Sequence, residues 1–167
     1  EIVNLDFSTT EKEDLVQERA DVVGFYRTRL YLFEKEGLAY DLISPEQYQV
    51  SSYNDVIVAK RSFVEENPEL TKRFVRATIE GWTYALDHKE EAVDISMRYV
   101  THPEYNIREY QESILNESEF LIRPEKKFDI GSMEIEKWEQ LHATLRKYGY
   151  ISSDLQLEEH ITTEYLP

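Results

Sequence analysis

The sequence predicts an α/β fold with a helix-rich second half, and three features predict it. The first 46 residues alternate short apolar runs with helical patterns, the arrangement expected of parallel strands joined by crossover helices. Beyond residue 60, apolar positions recur three and four apart between helix start and stop signals. The length, 167 residues, is that of about one ordinary domain with its own core.

Taken in order, Val3, Leu5 and Phe7 alternate with Asn4 and Asp6, which predicts a strand with one buried face. Thr10-x-x-Glu13 is a capping-box pattern that opens a short helix carrying Leu15 and Val16. Asp21-Val-Val-Gly-Phe-Tyr26 is a nearly continuous apolar run, as in a strand covered on both faces. A helix through Leu30, Leu32 and Phe33 should stop at Gly37. Ala39 to Ile43 reads as another strand, ended by Ser44-Pro45, and Asp55 to Lys60 as one more.

The remainder reads as helical. Asn67-Pro68-Glu69 supplies an N-cap residue, a first-turn proline and an acid at a helix start. Leu70, Phe74, Ala77, Gly81, Trp82 and Ala85 then share a predicted face. Further helices are expected over about 90–99 and 107–122, the latter ended by Pro124. A last one carries Ile135, Trp138, Leu141 or His142, Leu145 and Tyr148, with Gly149 as its stop. Both tryptophans are assigned to the core.

This divides the chain into an α/β segment (1–46), a crossing segment (47–56) and a mostly helical remainder (57–167). Three or four strands make a thin sheet for four amphipathic helices to pack on. The expectation is therefore that part of the fold is absent or is supplied by another chain. Alone, the segment should be poorly stable or self-associate through exposed apolar faces.

Composition narrows the function. With 34 acids against 19 bases the net charge is -15, which repels phosphate backbones and speaks against nucleic-acid binding. No cysteine occurs, so disulfides, thiolate metal sites and a cysteine nucleophile are excluded. His88, His102, His142 and His160 lack metal-ligand spacing, no serine sits in a Gly-x-Ser-x-Gly elbow, and no glycine-rich phosphate loop is present. Nothing in the residues predicts catalysis, a metal or a cofactor.

Aromatic residues are the better pointer. Tyr26 closes the best-defined predicted parallel strand, and ligands of open α/β sheets bind beyond the carboxyl ends of such strands. It is either a ring that stacks on a planar ligand or an aromatic at the edge of the core. Arg27 and Arg29 either receive an anionic group or pair with acids such as Glu34, the commoner fate of such arginines. Tyr53 lies in the crossing segment and completes the set of candidate ligand-binding residues.

The ordered motifs resemble one family of ABC-transporter solute-binding proteins, the receptors for thiamine pyrimidine precursors, sulfonates and nitrate. The likeness rests on Arg19-Ala-Asp-Val-Val-Gly-Phe-Tyr26 with Glu36-Gly37, and on Tyr48-Gln-Val-Ser-Ser-Tyr-Asn-Asp-Val-Ile-Val-Ala59. It continues through Glu66-Asn-Pro-Glu-Leu-x-x-Arg-Phe-x-x-Ala-x-x-x-Gly81 with Tyr84-Ala85. Ile130-Gly-Ser-Met, Trp138, Gly149 and Thr162-Thr-Glu-Tyr-Leu-Pro167 resemble the C-terminal end of the pyrimidine-precursor branch.

The resemblance implies a two-lobed periplasmic-binding-protein type II fold, with residues 1–46 in the second lobe, 47–56 as the inter-lobe crossing and 57–167 in the first lobe. It also implies a small planar or anionic ligand, an ABC permease as partner, and a periplasmic or membrane-anchored extracellular location. Four residues after the aromatic matching Tyr26, the pyrimidine-precursor branch carries an acid that contacts the ligand; this chain has Leu30 there. Similar lobes also serve as extracytoplasmic sensors of bacterial signalling proteins, the second reading. An enzyme on the same scaffold is a third, and the cysteine-rich motif of the related fungal pyrimidine synthases is absent.

Overall fold

A computed structural model describes residues 11–48, 50, 52–53, 55–103, 105–123, 129–152 and 155–167. Seven α-helices follow in order among them: α1 (Glu11–Val16), α2 (Tyr31–Lys35), α3 (Arg61–Glu66), α4 (Pro68–Asp87), α5 (Lys89–Met97), α6 (Arg108–Ile122) and α7 (Ile135–Lys147). Single 3-10 turns occupy Arg27–Arg29, Pro45–Tyr48 and Leu157–Glu159. The chain forms two compact units, one of Glu1–Asp41 with His88–Leu121 and one of Leu42–Asp87 with Ile122–Pro167.

In the first unit α5 and α6 lie antiparallel, tied at both ends. Lys89 at the start of α5 meets Glu119 late in α6 at 2.5 Å, and Arg108 at the start of α6 pairs with Asp94 late in α5. Buried Val93 lies between these ties, and Tyr110 is equally buried on α6. Tyr110 joins α6 to α2 through Tyr31, ring centroids 5.7 Å apart, and stacks at 5.6 Å on Tyr105, which stacks in turn on His102. Leu32 and Phe33 of α2 complete the buried apolar set of this unit. Buried Asp14 is paired with Arg19, whose Nε donates at 2.7 Å, as a carboxylate out of water requires.

Helix ends behave as the residue chemistry demands. Gly37 ends α2 with φ +66; its N–H donates to the carbonyl of Glu34, and that of Leu38 reaches the carbonyl of Phe33. Gly149 ends α7 the same way with φ +75, and Tyr150 donates back to Leu145. Both are Schellman closures that satisfy the last carbonyls of a helix. Pro68 opens α4 as expected, yet the Asn67 side chain donates to the Phe63 carbonyl at 3.0 Å and so closes α3 rather than capping α4.

In the second unit α4 is apolar on two sides. Val75, Ile79 and Leu86 turn inward, Leu86 being buried. The predicted face is the other stripe, and Leu70, Phe74 and Trp82 on it are exposed. Trp82 is thus not a core residue: it is 39% exposed, at the margin of the stripe through Val75, Ile79 and Leu86. Near Ile130 the chain turns through Gly131 (φ +89), where a Cβ would come within 3.1 Å of Ile79 Cδ1 and 3.3 Å of Leu166 Cδ2. The C-terminal segment is held further by the Arg61 guanidinium, which donates to the carbonyl of Glu159.

The predicted strands are the main departure. The strand through Val3, Leu5 and Phe7, and Thr10 of the capping box, lie outside the described residues. Among the described residues no strand forms, so 21–26, 39–43 and 55–60 are irregular rather than paired. Among the described residues the α/β layering expected of the first 46 residues is therefore not seen. Residues 22–26 keep an alternation, with Val23 and Phe25 half-buried while Val22, Gly24 and Tyr26 face outward. Residues 55–60 are exposed throughout, Val58 at 83%. A strand exists only through hydrogen bonds to a neighbour, and these extended apolar runs have none among the described residues.

Candidate functional site

Tyr26 stands where the chain leaves the extended run 22–26 and enters the Arg27–Arg29 turn. Its backbone is extended (φ -77, ψ 130), and its carbonyl accepts the N–H of Arg29 at 2.9 Å. The ring is half exposed. Arg27 reaches a different element: its Nε donates to Glu117 Oε2 on α6 at 2.6 Å, and its guanidinium lies 4.7 Å from the centroid of the Phe120 ring. Arg27 thus pairs with an acid. The acid comes from α6 and is not Glu34.

Glu34 faces Tyr40, whose phenol donates to its Oε1 at 3.3 Å. Burial, followed by the Glu34 charge, pushes the Tyr40 phenol above its usual pKa; Glu117 acts in the same sense and Arg27 against it. Arg29 lies over Phe25 at 5.2 Å. Phe25 meets Phe33 edge-on at 5.0 Å, and Phe33 meets Tyr40 at 5.5 Å. One aromatic row, Phe25–Phe33–Tyr40, thus links the extended run to α2, with Arg29 at one end and Glu34 at the other.

Tyr53 belongs to the second unit and makes a separate cluster there. Its phenol oxygen accepts the backbone N–H of Glu134 at 2.8 Å, at the start of α7. The Trp138 ring lies 5.5 Å from the Tyr53 ring, and Lys137 Nζ 5.3 Å from it. Lys137 also bonds Glu134 at 2.7 Å, which raises its pKa above the ordinary lysine value. Trp138 Nε1 and His142 Nε2, one turn apart on α7, are buried with no hydrogen-bond partner among the described residues.

The structure thus gathers Tyr26, Arg27 and Arg29 in one unit and sets Tyr53 in the other. Sequence reasoning missed Glu117, Phe120 and Tyr40. Glu117 is 90 residues from Arg27, and no local pattern links the two. A groove of 230 Å³ between α5 and α6 is lined by Lys89, Glu90, Val93, Glu112, Leu115 and Asn116, none of them an expected ligand contact. It is smaller than the ~300–1,000 Å³ of most small-molecule sites. Among the described residues, no group of three His, Cys, Asp or Glu could hold a metal ion, and no helix is long and apolar enough to cross a membrane.

The model of the family described as NMT1/THI5 like matches residues 1–92, more than half of the chain. This chain belongs to the NMT1/THI5-like family. It is 25% identical over 113 residues to the riboflavin-binding protein RibY of Chloroflexus aurantiacus, covering 66% of this chain and 32% of that protein. It is 27% identical over 152 residues to the formylaminopyrimidine-binding protein of Halalkalibacterium halodurans, covering 87% of this chain and 45% of that one. The chain therefore spans less than half the length of either relative. No solved structure matches it. The expected family is confirmed, and with it a family built on the periplasmic-binding-protein type II fold.

Proposed function

We propose that this chain is part of a solute-binding receptor that takes up a small planar molecule outside the cytoplasm and hands it to an ABC permease, without catalysing a reaction. Family membership carries the proposal. Two relatives are named for binding riboflavin and formylaminopyrimidine, and both of those molecules contain planar nitrogen heterocycles. On this reading Tyr26 stacks on the ligand. Its half-exposed ring, at the end of an extended run, supports that role. Of the planar or anionic ligands expected from the sequence, the planar class is favoured, because Arg27 is already bonded to a carboxylate.

The reading also assigns residues 1–46 to the second lobe, 47–56 to the crossing with Tyr53 in it, and 57–167 to the first lobe. Exposed apolar stretches support cover from a further part of the receptor: residues 56–58, and Leu70 with Phe74 on α4. A two-lobed receptor buries such surface in its sheets.

Calorimetric titration of the full-length protein with riboflavin, formylaminopyrimidine, an alkylsulfonate and nitrate tests the proposal. Saturable binding of a planar heterocycle is expected, weakened on replacing Tyr26→Ala. Absence of binding to all four would remove the receptor reading.

A further inference from the structure

Trp138, Leu141, His142 and Leu145 lie half-buried along α7. Within this set, Trp138 Nε1 and His142 Nε2 are shut off from solvent and have no hydrogen-bond partner among the described residues. Positions four apart on a helix share one face, with Cβ atoms about 5–6 Å apart, so one small group can bridge the two side chains. The Trp138 ring is also restrained. Tyr53 packs on it at 5.5 Å, and the Tyr53 phenol oxygen is itself fixed by the N–H of Glu134 at 2.8 Å, one turn before Trp138. Buried nitrogens of folded proteins are bonded to protein or to ordered water, and leaving a donor unmet costs stability.

The chemistry of the two nitrogens selects the guest. An indole N–H only donates, so whatever meets it must accept a hydrogen bond, which a metal ion or an ammonium group cannot do. His142 Nε2 accepts in one neutral tautomer and donates in the other. A water molecule, with two protons and two lone pairs, suits Trp138 in either case, and buried waters make about three such bonds. We propose that Trp138 Nε1 and His142 Nε2 share one ordered water molecule, a water-binding site on the buried side of α7. The indole donates to the water oxygen, and the water bonds Nε2 in turn. Held this way, α7 buries both side chains without an unmet donor. Tyr26 and its neighbours take no part, so the site stands or falls separately from the receptor reading.

Water-selective NOE spectroscopy on the full-length, isotope-labelled protein reads the site at the Trp138 indole proton, which is assigned by its loss in Trp138→Phe. Wild type should show a cross-peak between that proton and a long-lived water. In His142→Leu, shown by a thermal melt to be folded, the cross-peak should weaken at least about twofold, because the water loses one of its few bonds. A crystal structure of the wild-type protein gives the second readout: one water within about 2.7–3.2 Å of both nitrogens. Absence of the cross-peak in wild type overturns the proposal, as does a cross-peak indifferent to a folded His142→Leu. A protein atom bonded to either nitrogen in the crystal, or a dry contact there, overturns it too. If His142→Leu does not fold, the crystal structure decides alone.

Discussion

At the residue scale, what a side chain can do here is set by what already holds it. The end of an apolar run marks Tyr26 as either a ligand-facing ring or an aromatic at the core edge, and its half-exposed ring is what the structure adds. The engagement of Arg27 was not legible in the sequence, since its carboxylate and its ring partner both come from α6. Glycines give a sharper residue-level test. Gly131 combines φ +89 with two side-chain atoms 3.1 and 3.3 Å from where a Cβ would stand, whereas Gly37 has φ +66 and open space. Gly37→Ala should therefore cost only the left-handed backbone penalty, about 1–2 kcal/mol. Gly131→Ala should cost that penalty plus the displacement of Ile79 and Leu166. Thermal melts of the two variants check the order; a Gly131→Ala protein as stable as Gly37→Ala would contradict the packing around Leu166.

Elements separate into those that close on themselves and those that need a neighbour. Helix boundaries were legible because their signals are local: Pro68 opens α4, and Gly37 and Gly149 close α2 and α7 with left-handed turns. Strands are different, because pairing is a property of two segments. The runs 21–26 and 55–60 have the composition of strands but no partner among the described residues, and Val58 stands in solvent. Helix faces fall between these cases. On α4 the periodicity found an apolar stripe, yet the stripe that faces inward is the one through Val75, Ile79 and Leu86. A helix with two apolar stripes does not say which one a partial core will cover.

The α5–α6 pair offers the element-scale prediction. Val93 is 2% exposed between ion pairs that tie the two helices at both ends. Val93→Ala should therefore cost about 2 kcal/mol through lost burial and an unfilled space. Removing the half-exposed Arg108–Asp94 pair should cost less, because solvent screens it. Denaturant titration of Val93→Ala and Arg108→Ala would show the ranking. The reverse ranking would mean that charge, and not Val93, fastens this hairpin.

For the whole molecule, titration and charge act in one direction at high pH. Lys12, held chiefly by its hydrogen bond to Glu36, and Lys137, held by Glu134, bind their protons more tightly folded than the free value of 10.5. Tyr40, through burial and then Glu34, does so relative to 10.0. A group whose folded pKa is raised gives stability that is complete below the unfolded value and lost as pH rises through the folded one. Losing lysine charge also deepens a net charge that is already -15. The melting temperature should stay level to about pH 10 and then fall, and a Lys12→Met variant should lose part of that alkaline drop. A melting temperature that climbs above pH 10 would show these ion pairs to be absent in solution.

Whole-molecule function rests on the family and on one exposed ring. The chain spans less than half of either curated relative, and the proposed function reads its exposed apolar runs and Tyr26 as parts of a larger receptor. The most direct measurement is the affinity of the full-length protein for the panel of planar heterocycles, with and without Tyr26→Ala. The account predicts saturable binding of at least one of them, weakened about tenfold or more when the ring is removed. Binding that is indifferent to Tyr26, or no binding at all, would contradict it.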